Sequence, residues 1–557
     1  MAREFEPGSS GGSMDVDSDS RSLAGGSCGP FEPGGGHELH VPHRRGRCSN
    51  ASGVLAVFSR ELAKDRVFSA ARPDDHGQNM HDSVVKVGVL AKDRVFSAAR
   101  SDDHGQNMHD SVVKVGAYAA LTQAITTRSA TVGVIGLGYV GLPLAMAIAR
   151  AGFPTIGFDV DVAKIDKLSD GMSYIGTVNS KHLSKVVGEG HFRATSDFSE
   201  LKSCDVIIIC VPTPLTRYRE PDLSFVRDTT RVIARHLRVG QLVVLESTTF
   251  PGTTNEVVRP IFESNELKAG LDFFLGFSPE REDPGNSDYR TDTIPKIVSG
   301  EGPKAKALVE LFYSAVVKKV VPVSAPQVAE AVKITENIFR AVNIALVNEL
   351  KVIFDAMGID VWEVIDAAAT KPFGYMPFYP GPGLGGHCIP IDPFYLTWKS
   401  REYGLPTRFI ELAGEINVSM PRYVVNKLEE ALDRRFSVPF SKARILIVGV
   451  AYKKNVDDIR ESPSFKLIEL LENRGTEVDF HDPHVSEISS IREHPQLAGR
   501  KSVTLDGAML NSYHAAVIVT DHDAVDYALI AAHTPLVVDT RNVFARKRVS
   551  GGNIVKC

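Results

Sequence analysis

The sequence predicts an α/β protein, two doubly wound lobes joined by a long central helix, on three observations. Short Val- and Ile-rich runs alternate with longer amphipathic stretches from Thr131 onward, the strand-helix-strand rhythm that builds a parallel sheet. Between Gln327 and Ile353, a stretch of about seven helical turns, the strand signal stops, and Val328, Ala331, Thr335, Ile338, Val342 and Leu346 keep helical spacing. Strand-like runs then return at Arg444 to Val448, Glu477 to Phe480, Ala515 to Val519 and Leu536 to Val538, giving a second α/β lobe. In the first lobe the expected strands are Thr131 to Ile135, Thr155 to Phe158, Val206 to Val211, Leu242 to Leu245, Phe273 to Phe277 and Ile297 to Ser299. The expected divisions are residues 1–130, 131–325, 326–440 and 441–557, with a ligand cleft between the lobes.

The stretch before Thr131 has a different texture. Residues 1 to about 50 are rich in Gly, Ser, Pro and charge and cannot bury enough apolar surface to order themselves, so a disordered extension is expected. Leu62 to Gly88 recurs at Leu90 to Gly116, with Pro73 replaced by Ser101 as the one difference. Two copies are too few for a solenoid, and no catalytic part is expected of them. Over all 557 residues, 63 basic and 68 acidic side chains leave a net charge of -5, which offers no surface for nucleic acid. No run of about 18 apolar residues occurs and no apolar leader opens the chain, so no membrane partner and a cytoplasmic location are expected. Six cysteines, at 28, 48, 204, 210, 388 and 557, show neither disulfide density nor metal spacing.

Gly136-Leu137-Gly138-Tyr139-Val140-Gly141 follows a predicted strand and opens a helix, with Pro143 in its first turn. In the dinucleotide-binding (Rossmann) arrangement the first glycine allows a tight turn and the second a close approach to pyrophosphate. The third allows helix-to-strand packing, while the helix N-terminus attracts the phosphates. Asp159 closes the second predicted strand, where a carboxylate can bond a ribose 2'-hydroxyl and repel a 2'-phosphate, so NAD is expected over NADP.

Gly381-Pro382-Gly383-Leu384-Gly385-Gly386-His387-Cys388 places glycines ahead of a thiol and leaves backbone N–H groups open to an oxyanion. Composition alone favours an inert cysteine. Cys204 and Cys210 flank the apolar run Val206 to Ile209 and read as core. His387 lacks a second ligand at metal spacing, so no metal is expected. Lys333 and Asn337, four apart on the central helix, share a face. If that face looks into the cleft, a cation and an amide can stabilise a thiolate or an oxyanion.

Together, Gly136 to Pro143, Cys210-Val211-Pro212-Thr213-Pro214, Glu246-Ser247-Thr248-Thr249, Ser278-Pro279-Glu280-Arg281, Lys333 to Asn337, the Cys388 loop and Gly449-Val450-Ala451-Tyr452-Lys453-Lys454 resemble the UDP-glucose/GDP-mannose dehydrogenase family. The resemblance runs from about Thr131 to the C-terminus. The stretches Ser278 to Asn286 and Tyr379 to Cys388 look like its UDP-N-acetylglucosamine 6-dehydrogenase subgroup, although Pro284 stands where that subgroup has a second cofactor-touching Glu, and that role is not carried over. The resemblance implies two Rossmann-like lobes, a helical dimerisation domain and a homodimer or higher homo-oligomer. It also implies a four-electron oxidation of a UDP-sugar C6 hydroxymethyl by two NAD, with Cys388 forming a thiohemiacetal and then a thioester. By position it assigns Lys333 and Asn337 to the oxyanion and to the substrate, Asp392 and Thr248 to a water, and Glu280 to acid-base steps and to the substrate. Gly385, Lys453 and Arg541 become substrate contacts, while Lys164, Thr213 and Arg460 join the glycine loop and Asp159 at the cofactor. A nucleotide-sugar-binding protein without catalysis is the reading of another class. The intact Cys388, Lys333, Asn337, Asp392 and Glu280 argue against it.

Overall fold

The computed structural model describes residues 116–176, 178–216, 218–281, 293–386, 389–491 and 493–557. The expectations for the first 115 residues, for His387 and Cys388, and for 282–292 with Pro284 lie outside the described residues.

The first lobe is an eight-stranded sheet. Its strands are β1 (Val132–Ile135), β2 (Thr155–Phe158), β3 (Phe192–Thr195), β4 (Val206–Ile209), β5 (Leu242–Leu245), β6 (Phe274–Phe277), β7 (Lys296–Gly300) and β8 (Val320–Pro322). Their order is β3-β2-β1-β4-β5-β6-β7-β8, with β1 in register beside both β2 and β4. The order therefore reverses at β1, which leaves a crevice beyond its C-terminal end. Strands β1, β2, β4, β5 and β6 are buried at every position, as expected of a parallel sheet covered on both faces. The expectation of an all-parallel sheet needs one correction: β7 runs antiparallel to β6. Lys296, the first residue of β7, thereby arrives at the ligand edge of the sheet beside Glu246, which follows β5.

The second lobe is a five-stranded parallel sheet, β9 (Arg444–Val448), β10 (Glu477–His481), β11 (Ala515–Ile518), β12 (Val537–Asp539) and β13 (Ile554–Lys556), in the order β10-β9-β11-β12-β13. Its switch point lies at β9, flanked by β10 and β11. Between the lobes run the central helix Pro326–Ala356, about 46 Å long at 1.5 Å per residue, and a return helix Arg408–Phe436 packed along it.

Of the residues that mark the central helix in the sequence, Ala331, Ile338 and Val342 are half-buried, and Ile338 packs against the cluster of Phe250, Ile334 and Tyr395. Val328 and Leu346 are 39% and 50% exposed, whereas Ala329, Glu330, Lys333, Ile334, Asn337 and Ala341 are buried. The buried face mixes Ala329, Ile334, Ala341, Ala345 and Val347 with the polar Glu330, Lys333, Asn337, Asn348 and Lys351.

Residues 116–126 form a helix that starts where the second repeat ends, and its Leu121 and Ile125 are buried in the core of the first lobe. No residue singled out for chemistry lies before Gly136. Deleting residues 1–115 is therefore expected to leave the melting temperature and turnover unchanged. Deleting 1–126 strips two core side chains, about 4 kcal/mol or more, and is expected to lower the melting temperature by roughly 10 °C. Calorimetry of the two truncations checks this.

Candidate active site

At the crevice of the first lobe, Gly136 takes φ +89° and turns the chain out of β1. A Cβ on Gly141 would lie 1.8 Å from the Gly136 carbonyl oxygen, so only glycine lets the helix Gly141–Arg150 pack this closely. A Cβ on Gly138 would meet nothing within 4 Å, which leaves that backbone open to a phosphate. Asp159, just past β2, is 7% exposed. Its Oδ2 accepts from the Leu137 backbone N–H at 2.9 Å and from Lys164 Nζ at 3.3 Å, and its Oδ1 from the Asp161 N–H at 3.0 Å. A carboxylate offers about four acceptor positions, so capacity remains for a ribose hydroxyl, and the glycines and the acid present fit NAD.

The central helix meets the other elements around Lys333 and Asn337, both buried. Asn337 Nδ2 donates to Asp392 Oδ2 at 2.5 Å, and Asp392 opens the helix Asp392–Ser400. Asp392 is 3% exposed. Burial pushes its carboxyl up to about 7, against the Lys333 ammonium and the Asn337 bond, which both pull it down. The pairing expected at one face of the helix is therefore present, and a third group, the carboxyl of Asp392, completes it.

Thr248, half-buried, lies in the turn after β5, and Phe250 of the same turn packs with Ile334, Ile391 and Tyr395. The Tyr395 hydroxyl donates to the Thr213 carbonyl at 2.6 Å, which joins the Asp392 helix to the loop after β4. Glu330 fastens the same turn to the central helix. Its carboxylate accepts from Gly252 N at 2.6 Å, Thr254 N at 2.8 Å and Thr254 Oγ1 at 2.7 Å. Glu280 lines a small cavity with Val140, Glu246 and Lys296. Glu246, 1% exposed, accepts from Lys296 Nζ at 2.7 Å and from the Tyr313 hydroxyl, and burial raises its carboxyl. Arg281, which follows Glu280, pairs with Glu336 of the central helix at 2.6 Å.

The described part of the cysteine loop is held from two sides. Gly381 N–H donates to Asn348 Oδ1 at 3.0 Å, and Asn348 Nδ2 donates to Asn417 Oδ1 at 2.9 Å, linking the loop to both long helices. From the second lobe, Gly386 N–H donates to the Arg460 carbonyl at 3.2 Å. The Arg460 guanidinium is paired with Asp458 and stands 4.3 Å over the Tyr139 ring, so one residue touches both the cysteine loop and the glycine loop of the cofactor lobe. Arg541, whose Nε donates to the Val519 carbonyl at 2.8 Å, lies against Gly381, while Lys453 is half-buried in the loop after β9. Gly383, Ile389, Pro214, Arg460 and Glu461 line a common cleft of about 780 Å3. Glu246, Lys296, Tyr313, Glu330, Asn348 and Asn417 carry no role in the sequence reading. Their partners are distant along the chain, and no local spacing marks them.

Profiles of the UDP-glucose/GDP-mannose dehydrogenase family match three successive segments: the NAD binding domain at 130–317, the central domain at 327–419 and the UDP binding domain at 446–546. The chain belongs to the UDP-glucose/GDP-mannose dehydrogenase family. It is an NAD-dependent nucleotide-sugar dehydrogenase, an oxidoreductase with one lobe for NAD and one for UDP. Among the relatives of this family member, the UDP-N-acetyl-D-glucosamine 6-dehydrogenase of Pseudomonas aeruginosa is 38% identical over 365 residues, 65% of this chain and 85% of the relative. The UDP-N-acetyl-D-mannosamine dehydrogenase of Pyrococcus horikoshii is 35% identical over 419 residues, 74% of this chain and 95% of the relative. A solved structure of a UDP-D-ManNAc dehydrogenase from Pyrococcus horikoshii superposes with a TM-score of 0.69 at 33% identity, over 76% of this chain and 98% of that one. No helix among the described residues is long and apolar enough to cross a membrane. No group of His, Cys, Asp or Glu among them could hold a metal ion.

The raised carboxyl of Asp392 has a consequence for stability. Its pKa is about 7 in the folded chain and about 3.9 when unfolded. The folded state therefore keeps the proton more tightly, and stability is lost as pH rises from about 4 through about 7. Asp392→Asn removes that loss. The melting temperature of the variant is expected to match wild type near pH 4 and to exceed it by pH 8, with a gain of at most about 4 kcal/mol. A variant less stable than wild type at pH 8 would contradict this.

Proposed function

We propose that the enzyme oxidises the C6 hydroxymethyl of UDP-N-acetylglucosamine to the carboxylate in two steps, through a thiohemiacetal and a thioester on Cys388. The observation that carries this reading is the buried set Lys333, Asn337 and Asp392, a cation, an amide donor and a carboxyl tuned to about 7. NAD, when bound at the glycine loop, supplies the acceptor for a hydride in each step. The Cys388 thiolate adds to the aldehyde carbon and the carbonyl oxygen becomes an oxyanion, which the Lys333 ammonium and the Asn337 amide stabilise in a site where water is scarce. Loss of the second hydride leaves the thioester. Water held by Thr248 and Asp392 then attacks it, Asp392 takes the water's proton, and the thiolate leaves. Glu280 exchanges protons in the same breakdown, and Lys453 and Arg541 meet the diphosphate with positive charge.

Similarity to the Pseudomonas aeruginosa enzyme and the Tyr379 to Cys388 stretch support the N-acetylglucosamine substituent. The greater extent of the Pyrococcus horikoshii match supports N-acetylmannosamine as the second reading. UDP-glucose and UDP-N-acetylgalactosamine complete the panel. The exposed Phe339, Leu346 and Ile353 of the central helix support a homodimer through that helix.

With UDP-N-acetylglucosamine and NAD, two NADH are expected per sugar consumed, and Cys388→Ser is expected to abolish the sugar acid. One NADH per sugar with free aldehyde would refute the covalent route, and a faster rate on another sugar of the panel would replace the substrate. Asn337→Ala is expected to slow turnover by a factor of about a hundred to a thousand, as for one oxyanion donor. Steady-state kinetics at saturating sugar measure it.

A further inference from the structure

The two lobes place an aspartate at the same point of their sheets. Asp159 follows β2 and Asp482 follows β10, and each of these strands lies beside the strand at the switch point. Each aspartate accepts from backbone N–H groups just past a left-handed glycine that ends the neighbouring strand. In the first lobe the glycine is Gly136 at φ +89° and the donor Leu137 N; in the second it is Gly449 at φ +88° and the donors are Val450 N at 2.7 Å and Ala451 N at 3.0 Å. From there the lobes diverge. The Asp482 side chain is 0% exposed, and its Oδ2 also receives His522 Nε2 at 3.1 Å, from a side chain equally buried. Its other oxygen accepts from His484 N at 2.8 Å and Val485 N at 3.1 Å. An acid consumed in this way has no capacity left for a ribose. It serves the loop instead.

His522 extends the same hold. Asn455 N–H donates to His522 Nδ1 at 3.0 Å, so Nδ1 is the acceptor, the proton sits on Nε2, and Nε2 donates to Asp482. Thr520 Oγ1 donates to the Ala451 carbonyl at 2.6 Å, and the Tyr527 hydroxyl donates to the His522 carbonyl at 2.9 Å. The segment Gly449 to Asn455 is thus fastened at both ends by one buried His–Asp pair, and Lys453 lies between the two points of attachment. We propose that Asp482 and His522 are positioning residues for the nucleotide-sugar, fixing the loop after β9 so that the Lys453 ammonium meets the UDP diphosphate. This rests on the reading of Lys453 as a UDP contact.

The test measures UDP binding by titration calorimetry on the full-length protein without NAD, beside steady-state kinetics. His522→Phe removes both bonds of the ring and is expected to weaken UDP binding about ten- to a hundredfold, the range for one charge-assisted contact. It should raise KM for the UDP-sugar in proportion and leave kcat and KM for NAD within about twofold, a split that general loss of folded protein would not produce. His522→Asn, whose Oδ1 can still accept from Asn455 N–H, is expected to recover part of the affinity. In a Lys453→Met background, His522→Phe should cost little more, because both changes remove the same contact. Wild-type affinity in His522→Phe, or losses that simply add with Lys453→Met, would overturn the proposal. If His522→Phe does not fold, Thr520→Val, which removes the bond to Ala451, decides by the same cycle. Wild-type protein that binds UDP but is indifferent to Lys453→Met refutes the role of Lys453 and this inference with it, whereas additive losses refute the inference alone.

Discussion

Glu330 is fully buried on the central helix, and three hydrogen-bond donors, all from the turn after β5, satisfy its carboxylate in place of a cation. Burial raises its carboxyl, so the arrangement is tolerable only while those donors stay in place. They therefore fix the turn bearing Thr248 against the helix bearing Lys333 one turn further on. Phe250 from that turn fills the wedge between Ile334 and Ile391, which brings the Asp392 helix against the same face. Tyr395 then reaches Thr213, and the ring of contacts closes on the cofactor lobe. Removing one donor would leave a polar group stranded in the interior, at a cost of about 1–3 kcal/mol, and would loosen every group that meets there.

The same economy recurs around the cleft. Glu246, Glu330 and Asp392 are buried carboxyls raised by desolvation, and each is matched differently: by the Lys296 ammonium, by backbone and hydroxyl donors, and by Asn337 with Lys333 nearby. A carboxyl near 7 beside a cation suits proton transfer at neutral pH, whereas Glu246 is locked to Lys296 and Tyr313 and holds the sheet edge in place.

Much of this was legible in the sequence wherever the signal is local. The glycine loop, the strand rhythm and the i, i+4 relation of Lys333 and Asn337 all follow from short-range periodicity. Which face of the central helix turns inward was not legible, because hydropathy assigns the apolar side to the core. Here the inner side holds Glu330, Lys333, Asn337 and Asn348, while Val328 and Leu346 lie outward. Two strands of the first sheet escaped the pattern for plain reasons: Phe192–Thr195 is only partly buried and carries an Arg, and Val320–Pro322 is three residues long and ends in Pro. Asp392 with Asn337, Asn348 with Asn417, and Asp482 with His522 are 55, 69 and 40 residues apart, and no spacing rule links positions so distant. The family resemblance named both Asn337 and Asp392 without showing that they touch, and the other two pairs came from the fold alone.

The glycines before Cys388 invite description as a flexible hinge, yet the described ones are close-packed. A Cβ on Gly381 would come within 2.6 Å of Arg541 Nη1, one on Gly385 within 2.9 Å of the Tyr452 Cβ, and one on Gly386 within 2.9 Å of the Tyr452 ring. Gly383 and Gly386 also take positive φ, where alanine is strained. The usual protein-engineering device of replacing loop glycines by alanine to reduce the entropy of the unfolded chain would work in reverse at this loop. The added methyl would press the cysteine loop against Arg541 and Tyr452 of the second lobe, so each such replacement is expected to destabilise.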